Sequence, residues 1–424
     1  MKIVLGRSYE RMKFGNAELY AVMLVIAALL LLRDSFGAGI NKFLFVLIIG
    51  VAAMAFSLEK VIYLISFVMP LYVGVPGNYL TLVFLLRFLM EYKRIKLNGL
   101  NLVFCILAGG YILVQSIVTN HLAIAELVFF PSLVLVTFLY SNSIQYDKNK
   151  LIFCYTMGVA ALGLIMLIST LQVYDIADLL HVASRLGDDA TRFAEEGIMN
   201  VSVDPNFFGM FAIAAISMGV DALTQKQKQF SRGEAWFMLA ATASCVAVGL
   251  LGLSRAFFLV LAVWAAMYII SKKNMKAFMI AFAAMLVVVI GLFVLMPDVI
   301  DAIVSRFSEE NASTAGGRTT LIVKFWELWS ESVFSMLLGT GIFDCHVHCT
   351  PLQALFGGGL VFSVLLAGFI LTLSRKTPNP GVTVSAMQRW LPMFATVLMS
   401  MTVPGINLLN FMYPIVFVGL AMRS

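Results

Sequence analysis

The stretch LIFCYTMGVAALGLIMLISTL, residues 151–171, runs its whole length without a charged side chain. As an α-helix at about 1.5 Å per residue it would cover about 30 Å, the hydrocarbon thickness of a bilayer. A helix satisfies its backbone N–H and C=O groups internally, so this run reads as a membrane-spanning helix. The same pattern recurs on both sides of it. Apolar windows fall at about 17–32, 41–57, 59–74, 79–91, 100–119, 122–140, 204–222, 235–252, 255–271, 276–296, 351–373, 388–403 and 406–421. The windows 59–74 and 79–91 are short and parted by Val75-Pro76-Gly77-Asn78, so they read equally as two half-helices or a re-entrant hairpin. The expected architecture is an all-α polytopic membrane protein with 12–14 transmembrane helices, one integral membrane domain over residues 1–424.

Composition points the same way. Of 424 residues, 61% are hydrophobic and 12% charged, with a mean hydropathy of +0.94. Soluble chains run nearer half apolar and a quarter charged, which excludes ordinary soluble enzymes, disordered tails and disulfide scaffolds. Five cysteines in a chain this long do not describe a disulfide framework. The net charge of +6 reports membrane topology rather than nucleic acid.

The basic residues give an orientation. The amino-terminal MKIVLGRSYERMK is basic with no small-residue cleavage site after the first apolar run, which reads as a retained signal anchor. With that segment cytoplasmic, strict alternation puts 20 of the 29 Lys and Arg residues on the inner side, Arg87 within a span and eight outside. Both termini then face the cytoplasm. Two long loops, 172–203 and 297–350, face the periplasm with 14 of the 23 acids if Asp204 is counted. His121, His181, His346 and His348 all fall on that outer side.

The first outer loop ends in Asp204-Pro205-Asn206, an N-cap followed by proline in the first helical turn. This reads as an ordinary capped helix, or as a helix N-terminus offered to a phosphate. The acidic run Asp188, Asp189, Glu195 and Glu196 reads as a solvated face, a divalent-cation site being the alternative. Against it Arg185 and Arg192 stand out, because guanidinium groups grip phosphates bidentately. Arg255, in GLSRAFFLV, sits at the outer end of a span, either paired and functional or snorkelling to the interface.

In the second loop, Leu321, Phe325, Leu328, Trp329 and Phe334 give residues 319–338 an amphipathic pattern, with Arg318 before it. Cys345-His346-Val347-His348-Cys349 is spaced too tightly for a usual zinc site, and a disulfide between its cysteines is open but not demanded. A histidine among arginines is instead a proton acceptor near neutral pH.

Taken together, these pieces resemble the superfamily of O-antigen polymerases and O-antigen ligases, bacterial envelope glycosyltransferases. The resemblance rests on two enlarged outer loops and on Asp204-Pro205-Asn206, Leu253-Ser254-Arg255, Arg306-Phe307-Ser308 and Gly317-Arg318. It extends to Leu338-Gly339-Thr340-Gly341 and to His348 with Leu352-Gln353 and glycines 357–359. The family usually has Asn after the loop histidine, where Cys349 stands here, which leaves His346 beside His348 as a candidate. The glycine spacing fits His348.

The resemblance implies a glycosyltransferase-C-like all-helical fold in the bacterial inner membrane. It implies a metal-independent, cofactor-free, inverting transfer of glycan at the periplasmic face. The donor would be undecaprenyl-diphosphate-linked glycan. The acceptor would be a lipid-linked repeat unit in a polymerase, of O-antigen or of capsular or exopolysaccharide, or the lipid A core in a ligase. Polymerase is preferred, on the DPN and SRAFF stretches. His348 would be the base, with Arg192, Arg255 and Arg318 as diphosphate contacts and Arg306 as a further one. A chain-length regulator and a repeat-unit flippase would be partners, together with membrane lipid and no nucleic acid. The rival from another class is a lipid-linked oligosaccharide flippase, against which the chain shows no self-similar halves.

Overall fold

The computed structural model describes residues 16–73, 75, 77–118, 124–141, 143–174, 204–224, 230–252, 254–271, 318–373, 386–403 and 412–423. Among these, every regular element is helical. In chain order they are α1 (Ala17–Asp34), α2 (Lys42–Ala55), α3 (Leu58–Val68), α4 (Gly77–Leu89), α5 (Gly99–Val118), α6 (Ile124–Leu139), α7 (Lys148–Leu171) and α8 (Pro205–Thr224). Then come α9 (Arg232–Leu251), α10 (Arg255–Ser271), α11 (Arg318–Ser330), α12 (Val333–Leu338), α13 (Thr350–Leu373), α14 (Ala386–Ser400) and α15 (Met412–Arg423). A 3-10 turn, Met69–Val73, extends α3. The expected 276–296 span and most of the 172–203 loop lie outside the described residues.

Among the described residues, five helices are long and apolar enough to cross a membrane: α5, α7, α8, α9 and α13. They divide by burial. In α7 and α8, 72% of the most apolar window is buried inside the protein, against 33% in α5 and α9. A helix apolar all round belongs in an interior, and α7 and α8 pack on each other there. α3, α9, α1 and α15 gather around α7, while α14 and α10 lie against α8. Gly158 of α7 permits the closest approach: a Cβ there would overlap the Phe67 carbonyl of α3.

The caps sit where the composition changes. Asp147 accepts the Asn149 N–H at 2.9 Å to begin α7, and Ser231 with Glu234 closes a capping box on α9. The short pair α3 and α4 behaves as two antiparallel helices. α4 packs against α2 and α6, and Tyr79 meets Phe43 at 5.4 Å, bringing the start of α4 level with the start of α2.

Contacts between helix ends fall into two sets, and each joins ends that strict alternation assigns to one side. At the first end Lys60 pairs with Glu18 at 3.4 Å, Tyr20 donates to Glu234 at 2.9 Å, and Gln388 donates to Asp221 at 3.0 Å. At the second, Ser35 meets Ser169 at 2.9 Å and Thr350 donates to the Val403 carbonyl at 2.8 Å. Arg87 is buried and closes the C-terminus of α2, donating to the Ala53 and Phe56 carbonyls at 2.9 and 3.1 Å while pairing with Glu91. Its place inside an apolar window is thus explained by a structural task.

Candidate functional site

Two of the sequence motifs meet at the second end through paired helix N-termini. Asp204 caps α8, its carboxylate accepting the Asn206 N–H at 2.7 Å. Asn206 is buried and turns its side-chain oxygen to Ser254, whose hydroxyl donates to it at 2.7 Å. The same Ser254 oxygen accepts the Phe257 N–H at 3.2 Å and so caps α10. One hydroxyl therefore serves both helices, as its single proton and two lone pairs allow. Pro205 packs against Gly252, completing the junction. Arg255 follows Ser254 as the first residue of α10 and is half-buried. Its charge stands where two helix dipoles present their positive ends, an arrangement that favours an anion.

His348 comes to this junction from the other half of the chain. It lies half-buried in the segment before α13. Burial lowers its basicity below the ordinary imidazole value of 6.5, and Arg318 lowers it further. Asp204 opposes them, and His346 adds a smaller lowering effect. Arg318 and Asp204 therefore lie within electrostatic range of His348. The net result is a neutral imidazole at pH 7, ready to accept a proton. His346 is exposed. His348 is the half-buried one of the two, and Arg318 and Asp204 act on it electrostatically.

The segment carrying His348 is held by backbone docking. Helix α13 breaks at Gly359, where φ is +73°. The carbonyls released near the break are taken up by the 338–342 turn. Thr340 N–H donates to Phe356 O at 2.9 Å and Gly341 N–H to Gly357 O at 3.0 Å. Gly339, at φ +79°, lies so close that a Cβ would overlap the Gly357 carbonyl. Leu338-Gly339-Thr340-Gly341 and glycines 357–359 are thus two halves of one seat. Across it reaches Gln115 of α5. Its amide donates to Leu338 O at 2.8 Å and Gly357 O at 2.9 Å and accepts from Ile342 N–H at 3.3 Å. Tyr111, one turn earlier, donates to Leu338 O at 2.6 Å. Sequence reading missed both residues. Their only signal was a polar pair, four apart, on one face of an apolar helix.

The remaining candidates divide. Arg192 and Arg306 lie outside the described residues, as do Asp188, Asp189, Glu195 and Glu196. The face expected of residues 319–338 is corrected in part. Leu321, Ile322, Phe325 and Trp329 pack with Cys345, Val347 and Phe356, but Leu328 and Phe334 are exposed, at 41% and 69%. The chain turns between α11 and α12, so Phe334 leaves the stripe.

In the Cys345–Cys349 segment the residues alternate between inside and outside. Cys345 and Val347 are buried, with His346 exposed between them. Burial pushes the Cys345 thiol up to about 11 and raises that of Cys349 as well. Both cysteines are free. Among the described residues no His, Cys, Asp or Glu trio is disposed to hold a metal ion.

No family model, curated protein or solved structure matches this chain.

Proposed function

We propose that the protein polymerises undecaprenyl-diphosphate-linked oligosaccharide repeat units at the periplasmic face of the bacterial inner membrane. The observation that carries this reading is the hydrogen-bonded junction of two helix N-termini. In it Asp204 caps α8 and Asn206 accepts from the Ser254 that caps the helix beginning with Arg255, with Asp204 and Arg318 acting electrostatically on the half-buried His348. The resemblance of the motifs to O-antigen polymerases and ligases supplies the reaction. The placement of these residues at the end of the bundle assigned to the periplasm agrees with it.

In such a transfer an acceptor sugar hydroxyl attacks the anomeric carbon of the donor glycan. The new C–O glycosidic bond forms as the bond from that carbon to the diphosphate breaks, with inversion. Undecaprenyl diphosphate leaves with the bonding electron pair. The hydroxyl proton passes to His348, which the surroundings keep neutral for that purpose. Negative charge grows on the diphosphate, and Arg255, Arg318 and the two helix N-termini would oppose it. Arg192 and Arg306 are further candidates for the same role. Apolar helix faces below would accommodate the polyprenyl tail.

The test is transfer itself. A cell lacking its own enzyme and supplied with this chain is expected to make long-chain glycan, and His348→Ala is expected to stop at single repeat units. Unchanged long chains from a well-expressed His348→Ala protein would remove the histidine from the reaction. Movement of lipid-linked oligosaccharide across vesicles, with no elongation, would favour a transporter instead.

A further inference from the structure

The opposite end of α5 holds a second feature. α5 is 20 residues long, about 30 Å, and its far end carries the Gln115 clasp. At its beginning lies an open surface cavity of about 460 Å³ lined by Arg94, Lys96, Leu97, Asn98 and Ser143, all but Leu97 exposed. Its size is that of a small-ligand pocket.

The wall is built. The Lys96 N–H donates to Ser143 Oγ at 2.7 Å, and the Ser141 hydroxyl donates to the Lys96 carbonyl at 2.9 Å. Ser143 N–H in turn donates to Ser141 Oγ at 3.2 Å, so two linkers are fastened together around the opening. Asn98 caps α5 through the Leu100 N–H at 3.0 Å, placing the positive end of the helix dipole at the rim. Arg94 reaches Glu91 only at 3.8 Å, and Glu91 is already held by Arg87 at 2.6 Å. The charge of Arg94 is therefore only partly neutralised. From the mouth, an exposed apolar track runs up α5 through Leu100, Val103, Ile106 and Leu107.

We propose that this cavity binds the phosphodiester headgroup of an anionic membrane phospholipid, with an acyl chain along that track. Two cations and a helix N-terminus complement the phosphate. A hydroxyl and an amide suit the polar headgroup. The apolar continuation up a membrane-spanning helix selects a lipid over a soluble anion. The site stands apart from His348 and does not depend on the glycan-transfer reading.

The full-length protein in neutral detergent, titrated with phosphatidylglycerol and followed by native mass spectrometry, tests it. Wild type is expected to retain phosphatidylglycerol over phosphatidylcholine. Arg94→Gln with Lys96→Gln is expected to weaken retention on the order of twentyfold, from two surface cations each worth about fivefold. Lys93→Gln removes one positive charge from a neighbouring side chain that does not line the cavity, and is expected to change retention far less than the roughly fivefold expected per lining cation. Equal loss from Lys93→Gln would overturn the proposal, leaving only a basic rim. Displacement of the lipid by millimolar inorganic phosphate alone would also overturn it, because the site would then take a free anion. A double variant that retained phosphatidylglycerol like wild type would do the same.

Discussion

At the scale of single residues the proposed chemistry turns on His348. Burial and Arg318 lower its proton affinity while Asp204 raises it, so the signs of two substitutions are fixed in advance. Since the neutral form is the base, the acid limb of the rate profile is expected below pH 6.5, the ordinary imidazole value. Arg318→Ala should move that limb to higher pH. Asp204→Asn, which keeps a capping side chain, should move it lower. Rates of glycan transfer measured between pH 5 and 8 check both, and shifts of the opposite sign would separate these residues from the histidine. Arg255→Ala should slow transfer by about 10²–10³ if it opposes charge on the leaving diphosphate, with little loss of thermal stability. His348 was legible in the sequence as one of two histidines. The glycine spacing favoured it over His346, but the difference in burial was not legible: the alternation of buried Cys345 and Val347 with exposed His346 is set by packing on Trp329 and Phe356.

At the scale of elements the seat between α5, the 338–342 turn and α13 is the feature to disturb. Gln115→Met keeps the volume and removes three hydrogen bonds. Tyr111 and Gly341 still serve the Leu338 and Gly357 carbonyls, so the main loss is the partner of the buried Ile342 N–H. A destabilisation of about 1–3 kcal/mol is expected, read as a lower midpoint in thermal unfolding in detergent. Gly359→Ala should cost at least as much, because φ is +73° and the added Cβ would overlap the Leu337 carbonyl. If the midpoints of both variants matched wild type, the seat would not be holding the turn. Helix limits in the sequence were legible to within a few residues, as at 255–271, because apolar runs end at charges and caps. The pairing of α8 and α10 was not. Asn206 and Ser254 lie 48 residues apart, and nothing in either motif names the other as its partner.

At the scale of the whole molecule the sparse charge has two uses. The contacts of Lys60 with Glu18 and of Tyr20 with Glu234 gather at one end, while His348, Arg318 and Asp204 lie at the other. The proposed orientation rests on the excess of basic residues at the first end and is itself testable. In a chain with its native cysteines replaced, Ser143→Cys should resist a membrane-impermeant maleimide applied from the periplasm, whereas Thr319→Cys should react. The reverse pattern would invert the topology and move the proposed chemistry to the cytoplasm.

The most direct measurement uses the purified protein in liposomes, supplied with undecaprenyl-diphosphate-linked repeat units in the presence of EDTA. Wild type is expected to give a ladder of lengthened glycans, and His348→Ala to give a rate lower by about 10²–10⁴. A ladder from His348→Ala equal to that of wild type, or no elongation by folded wild-type protein, would contradict glycan polymerisation through this histidine.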